Sequence, residues 1–233
     1  MLRISSFNIQ NNYRKYNINK TKNIMNYLKN NNIDILGLQE VFYLCDKDIC
    51  KKIDNKYNYY GKYRFYSRLI LRHINEMTPI ITNKKVIEKK IYHLPFFPSF
   101  LKRIVTKVVI EYEGKLISIY NTHLEVRKEK VKEKQLKSIY NLISKDKNLI
   151  ILMGDFNLKN NKEIFNKFEN LLKEKGIYRV EFNHKTLKIS KYKREIDHIF
   201  LSKEFKLIDK KVIDNLSISD HYPIMVDVNI SKI

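Results

Sequence analysis

Residues 149–153 form a short, wholly apolar run that closes on Gly154-Asp155-Phe156-Asn157. Such a run is a strand buried on both faces, and it delivers whatever follows it to the rim of a sheet. Residues 33–38 repeat the pattern and end at Gln39-Glu40. Strands of this kind need cover on both sides, which places sheets inside and helices outside.

The rest of the pattern agrees. Residues 2–9 alternate as a strand, and in residues 18–31 Ile24, Tyr27 and Leu28 recur at helical spacing. A short helix is expected over 45–53, strand and loop over 57–66, and strands near 79–82 and 86–92. Residues 105–111 and 116–121 read as a hairpin turned by Glu113-Gly114. An amphipathic helix over 129–143 and another over 164–175, stopped by Gly176, are followed by strands at 196–201 and 225–230. Mixed hairpins and strand-helix-strand passages predict an α/β (α+β) protein with two mixed sheets packed face to face. Without a linker, repeat or low-complexity block, residues 1–233 read as one domain.

The segment Leu94-Pro95-Phe96-Phe97-Pro98-Ser99-Phe100 cannot be a central strand, because of its two prolines. It is expected to be a loop folded onto the core, a lip touching substrate or membrane being the alternative.

An apolar content of 43% over 233 residues is enough for a substantial core. The 46 Lys and Arg against 25 Asp and Glu leave a charge of +21, which attracts polyanions, nucleic acid first among them. The lysines are spread along the chain, and Lys, Asn, Ile and Tyr share AT-rich codons, so composition accounts for part of that charge. Cys45 and Cys50 lie in a polar stretch without histidine at ligand spacing, which suits a reduced intracellular protein. A strand-like start and the lack of a membrane-length apolar run lead us to expect a soluble cytoplasmic protein.

The polar residues at the strand ends are Asn8, Glu40, His123, Asp155, Asn157, Asp197, Asp220 and His221. Singly they have ordinary readings: turn residues, an exposed carboxylate, structural histidines. Their local contexts are Ser6-Phe7-Asn8-Ile9, Leu38-Gln39-Glu40-Val41, Asn121-Thr122-His123-Leu124-Glu125, Gly154-Asp155-Phe156-Asn157, Ile196-Asp197-His198-Ile199-Phe200 and Ser219-Asp220-His221-Tyr222-Pro223-Ile224. In this order the segments resemble the motifs of the endonuclease/exonuclease/phosphatase superfamily, the DNase I-like metal-dependent phosphoesterases.

The resemblance implies a four-layered sandwich with one active site built from strand-end loops. It also implies hydrolysis of a phosphoester by in-line attack of an activated water, with magnesium or manganese bound. Glu40 would be the central metal ligand, with Asn8 contacting metal or phosphate and Asp220 completing the metal environment. Asp155 would orient and deprotonate the water, and Asn157 would donate to the phosphate. His221, oriented by Asp197, and His123 would contact the phosphoryl oxygens. Either Asp155 or His221 could be the base. His198, on the opposite face of its strand from Asp197, reads as structural. Arg103, Lys107 and Arg127 read as exposed cations more than as phosphate grips.

Val41-Phe42 after Glu40 and the Thr122-His123-Leu124 motif depart from the abasic-site endonuclease branch. They look more like deoxyribonucleases, tyrosyl-DNA phosphodiesterases and sphingomyelinase-type phospholipases. Nucleic acid is the favoured substrate; a sphingomyelinase-like phospholipase C or inositol-phosphate phosphatase is the alternative. A non-catalytic nucleic-acid-binding domain is a third reading. Membrane contact is disfavoured, no protein partner can be inferred, and a monomer is expected.

Overall fold

The computed structural model describes residues 1–11, 17–64, 75–99, 102–159, 162–188, 194–216 and 218–231. In chain order its elements are β1 (Leu2–Asn11), α1 (Ile18–Asn30), β2 (Ile35–Val41), α2 (Tyr43–Lys52), β3 (Asn58–Tyr60), β4 (Ile80–Thr82), β5 (Lys85–Leu94), β6 (Arg103–Tyr112) and β7 (Lys115–His123). They continue with α3 (Glu129–Ile143), β8 (Leu149–Asp155), α4 (Glu163–Glu174), β9 (Ile177–Arg179), β10 (Asp197–Ser202), β11 (Phe205–Val212) and β12 (Ile224–Ile230).

The strands form two mixed six-stranded sheets, β11-β12-β1-β2-β4-β3 and β5-β6-β7-β8-β10-β9. Alternate residues of the apolar runs serve different cores. Ile35, Ile151 and Met153 point between the sheets, with Ile4, Ile119, Ile199 and Val226. Leu36 and Leu38 turn outward onto Ile24 and Leu28 of α1 and Ile49 of α2, while Leu152 turns onto Leu136 and Ile139 of α3 and Phe165 of α4. Burial of both faces is why β2 and β8 are apolar up to their C-terminal ends. The result is helix, sheet, sheet, helix: the four-layered α/β sandwich.

Direction along the strands positions the site. β1 pairs in parallel with β2, and β7 with β8, so Asn8, Glu40, His123 and Asp155 all come to one end of the sandwich. β10 runs antiparallel to β8, opposing Asp197 to Asp155, and β12 runs antiparallel to β1 with His221 just ahead of it. Strands running toward this end contribute their last residues, and strands running away contribute their first.

Two local features fix the approach of the strands. Gly154 has φ 145°, and a Cβ there would lie 2.0 Å from the Thr122 carbonyl oxygen, so only glycine allows β7 and β8 to pair beside the site. Asn121 of β7 reaches across to the other sheet. Its amide donates to the carbonyls of Leu38 (2.8 Å) and Pro79 (2.9 Å), and its oxygen accepts from Gln39 (2.7 Å). The β6–β7 turn has Glu113 at φ 50° and Gly114 at φ 72°, the left-handed pair of a tight hairpin.

Differences from expectation have physical reasons. β9 and β11 were not foreseen: β9 is three residues long, and β11 is an edge strand with Lys206, Lys210 and Lys211, which hide its period. The loop after β5 does not fold its aromatics onto the core, since Phe97 is 78% exposed and Phe96 38%. Polar anchors hold its backbone instead: Gln135 donates to the Pro95 carbonyl (2.9 Å), Lys128 to the Pro98 carbonyl, and Ser99 to Glu125 (2.6 Å). Phe100 lies outside the described residues, as do 65 and 66 of the expected strand and loop. Among the described residues no helix is long and apolar enough to cross a membrane.

Candidate active site

Asp155, buried at the end of β8, is the hub. Its Oδ2 accepts from the Asn8 amide at 2.9 Å and lies 3.6 Å from His123 Nε2 and 3.8 Å from His221 Nε2. Its Oδ1 accepts from the backbone N–H of Asn157 at 2.8 Å, which makes the Asp155-Phe156-Asn157 turn and uses the left-handed conformation (φ 51°) that asparagine tolerates. Burial alone would raise this carboxyl. The two imidazoles, the Asn8 amide and the Asn157 N–H outweigh it and hold Asp155 below the ordinary aspartate value.

Each histidine has its own carboxylate behind it. His221 Nδ1 lies 2.9 Å from Asp197 Oδ2. Burial disfavours the imidazolium, but Asp197, Asp155 and Asp220 push the ring up to about 10. His123 Nδ1 lies 3.0 Å from Glu76 Oε1 and 2.9 Å from the Arg103 guanidinium. Burial works against charge on Glu76 as well, and Arg64 (3.0 Å), Arg103 and His123 together hold it far below the usual carboxylate range.

Glu76 and Arg64 have no counterpart in the sequence reading, and Arg103 was read as an exposed cation. That reading is corrected: Arg103 is 3% exposed and touches both Glu76 and His123. Lys107, read the same way, is buried far along β6, paired with Asp146 at 2.9 Å. Arg127 is exposed. His198 is fully buried, 4.4 Å from the Phe165 ring, with Nε2 3.1 Å from the Leu158 carbonyl.

Glu40 leaves β2 with φ 56°, a left-handed backbone that costs a non-glycine residue about 1–2 kcal/mol. Its Oε1 accepts from Asn8 at 3.2 Å, so Asn8 bridges Glu40 and Asp155. The Asn8 oxygen instead accepts from the Gln10 N–H at 2.9 Å. Burial pushes the Glu40 carboxyl up, and Glu76 and Asp155 add to the rise against His123 and Asn8. Asp220 accepts from the Gln10 amide, while the Asn157 amide donates to the Leu124 carbonyl at 3.2 Å. Ser219 straps the last motif to the first, donating to the Asn8 carbonyl at 2.7 Å and accepting from the His221 N–H at 3.1 Å.

Sequence comparison matches residues 5–221 to the profile of the endonuclease/exonuclease/phosphatase family. The chain belongs to this family. The family's members are phosphoesterases, and the chain is a phosphoric-ester hydrolase of this kind. No match is found among curated proteins. Solved structures share the fold: a Bacteroides thetaiotaomicron mannosyl-6-phosphatase has TM-score 0.82 at 20% identity, with 98% of this chain and 100% of that one covered. The human nocturnin catalytic domain with bound sulfate gives 0.80 at 18% identity, covering 99% and 93%. D. rerio TDP2 complexed with a single-strand DNA product gives 0.77 at 18% identity, covering 98% of each chain.

Within this family member, Asp155, Asp197 and His221 bring three potential ligand atoms within 4.8 Å of one another. Within the trio, His221 lies 2.9 Å from Asp197 and 3.8 Å from Asp155.

The raised His221 sets a pH signature. Its stabilisation is fully present below the ordinary value of 6.5 and is lost as pH rises through about 10. The metal-free protein is therefore expected to lose thermal stability between those values, and Asp197→Asn to flatten the decline. Parallel melting curves for the two proteins across that window would contradict the pairing.

Proposed function

We propose that the protein is a magnesium-dependent phosphodiesterase acting on nucleic acid, with residues 1–233 as one catalytic domain. The observation that carries the reading is Asp155, a carboxylate kept ionised between two carboxylate-backed histidines.

Asp155 accepts the proton of the attacking water and aligns it with the phosphorus. His221, cationic and fixed by Asp197, donates to a phosphoryl oxygen, and His123 donates to a second from the opposite side. Arg103 and Glu76 hold the His123 ring in place. Asn157 fixes the turn that aims Asp155, and its amide nitrogen has a second hydrogen for the phosphate. Glu40 would hold the metal, its hard carboxylate oxygen suiting magnesium or manganese. A half-buried glutamate pushed toward neutrality, with a neutral amide as its hydrogen-bond partner, fits a cation at that point. When bound, the ion supplies charge neutralisation at the phosphoryl oxygens. Asp220, paired with Gln10, would adjust the outer metal environment.

The charge of +21 supports a polyanionic substrate. A phospholipid remains the second reading on one observation, the exposed Phe97 at the rim of the loop that leads to Arg103. The test is turnover on plasmid and single-stranded DNA, RNA, a 5′-tyrosyl oligonucleotide, sphingomyelin and an inositol phosphate. Magnesium-dependent cleavage of a nucleic acid, abolished by EDTA and restored by magnesium or manganese, is expected. Full activity in excess EDTA overturns the mechanism; activity confined to lipid or inositol phosphate overturns the substrate.

A further inference from the structure

Among the described residues, the two sheets of the sandwich end side by side along one flank. β3 is the last strand of its sheet and β5 the last of the other, and the order of both sheets puts these edges on the same flank. Contacts of β2 with β7 and β8, and of β1 with β8 and β10, set that alignment. Between the edges lies a cavity of about 770 Å³, lined among others by Tyr59, Tyr60, Lys62, Tyr63, Lys89 and Lys90.

Its walls are aromatic and basic. Lys89 sits 5.7 Å from the Tyr60 ring centre, and Lys90 5.2 Å from that of Tyr92. Lys62, Lys89 and Lys90 are exposed. The acid of the lining, Asp46, is occupied: it accepts from the hydroxyls of Tyr59 (2.8 Å) and Tyr63 (2.6 Å), which anchors both rings as walls. Asp46 thus orders the aromatic surface and leaves the lysines to face an anion. Edge-strand lysines are common as a guard against sheet extension. Here they converge on half-buried tyrosines in a concavity.

The groove also leads to the chemistry. Met77 and His93 belong to its lining, one residue from Glu76 and antiparallel to Ile104, the neighbour of Arg103. From His93 back to Lys89 is four strand residues, or about 13 Å.

We propose that this groove binds the single-stranded segment of a nucleic-acid substrate flanking the scissile phosphate, its lysines on the backbone and its tyrosines against the bases. The proposal rests on the nucleic-acid reading of the active site. Tyrosine faces stack on any base, so the groove confers length preference and little sequence preference.

Two measurements test it. The first is the affinity of a fluorescent single-stranded 12-mer for Asp155→Asn protein, with and without Lys62→Glu and Lys89→Glu. Loss of about tenfold in affinity, and a shallower salt dependence by roughly 1.4 log units per log unit of salt for two lost phosphate contacts, is expected. The second compares wild type with the Lys62→Glu/Lys89→Glu protein on the 12-mer and on bis(p-nitrophenyl) phosphate, which is too short to reach the groove. KM for the 12-mer should rise about tenfold at unchanged kcat, with the small diester unaffected. Unchanged 12-mer affinity, or equal loss on both substrates, overturns the groove. So does binding to phosphatidylserine vesicles that the lysine substitutions abolish while oligonucleotide binding persists. If the substitutions weaken 12-mer binding but wild type cleaves no nucleic acid, the groove stands and the catalytic reading falls.

Discussion

Asp155→Asn is expected to lower turnover by about 10³-fold on any phosphodiester substrate while the protein stays folded. Asparagine keeps the size of the side chain, and its one oxygen can still accept from the Asn157 N–H, so the turn survives although the bond from the Asn8 amide is lost. What disappears is the proposed base and the negative charge facing His123 Nε2 and His221 Nε2. The loss should therefore fall on kcat, with KM nearly unchanged. Stopped-time assays with bis(p-nitrophenyl) phosphate, together with a melting curve, separate lost chemistry from lost folding. Turnover equal to wild type would remove Asp155 from the reaction.

Glu76→Ala is expected to be the most destabilising single change at the site. It strips the counter-charge from Arg64 and Arg103, both 3% exposed, and removes the carboxylate behind His123. Removing one partner of a buried ion cluster costs about 3–5 kcal/mol, because the remaining charges have no water to turn to. In a chain of this size that corresponds to a fall of roughly 10 °C in melting temperature. Glu76→Gln, which keeps two polar atoms in place, should lose less stability yet still free the His123 ring. A melting temperature unchanged in the alanine variant would mean that the guanidiniums find water or other partners.

Glu76 and Arg103 also mark where the sequence stops being legible. Asn8, Glu40, His123 and Asp155 close apolar strands, and a strand end is visible in a sequence as a change from apolar to polar. Glu76 and Arg103 stand ahead of β4 and at the start of β6, strands that run the other way. A charged residue before a strand looks like any loop residue until the pairing direction is known. Asp197 stands at such a start too and was found through the motif around it.

The layers were legible for a related reason. The continuous apolar runs of β2 and β8 can be satisfied only by cover on both faces, whereas β11, with three lysines among its eight residues at an edge, carries no such constraint. Exposure of Phe97 was not legible, because two prolines and two phenylalanines in a loop read as a plug on the core before they read as a prow. The outcome turned on carbonyl anchors from Gln135 and Lys128, far along the chain.

The Asn121 amide, bonded to two carbonyls and a glutamine of the opposite sheet, has a consequence for assembly. Asn8, Glu40 and Glu76 arrive on one sheet and His123, Asp155 and Arg103 on the other, so neither sheet carries a working half. A slip of one residue between the sheets would strand that amide against apolar side chains and pull Asn8 away from Asp155. Catalysis in this protein is thus a direct reporter of sheet docking: during refolding, activity should return only with the final locking of the two halves, later than the signal from either sheet alone.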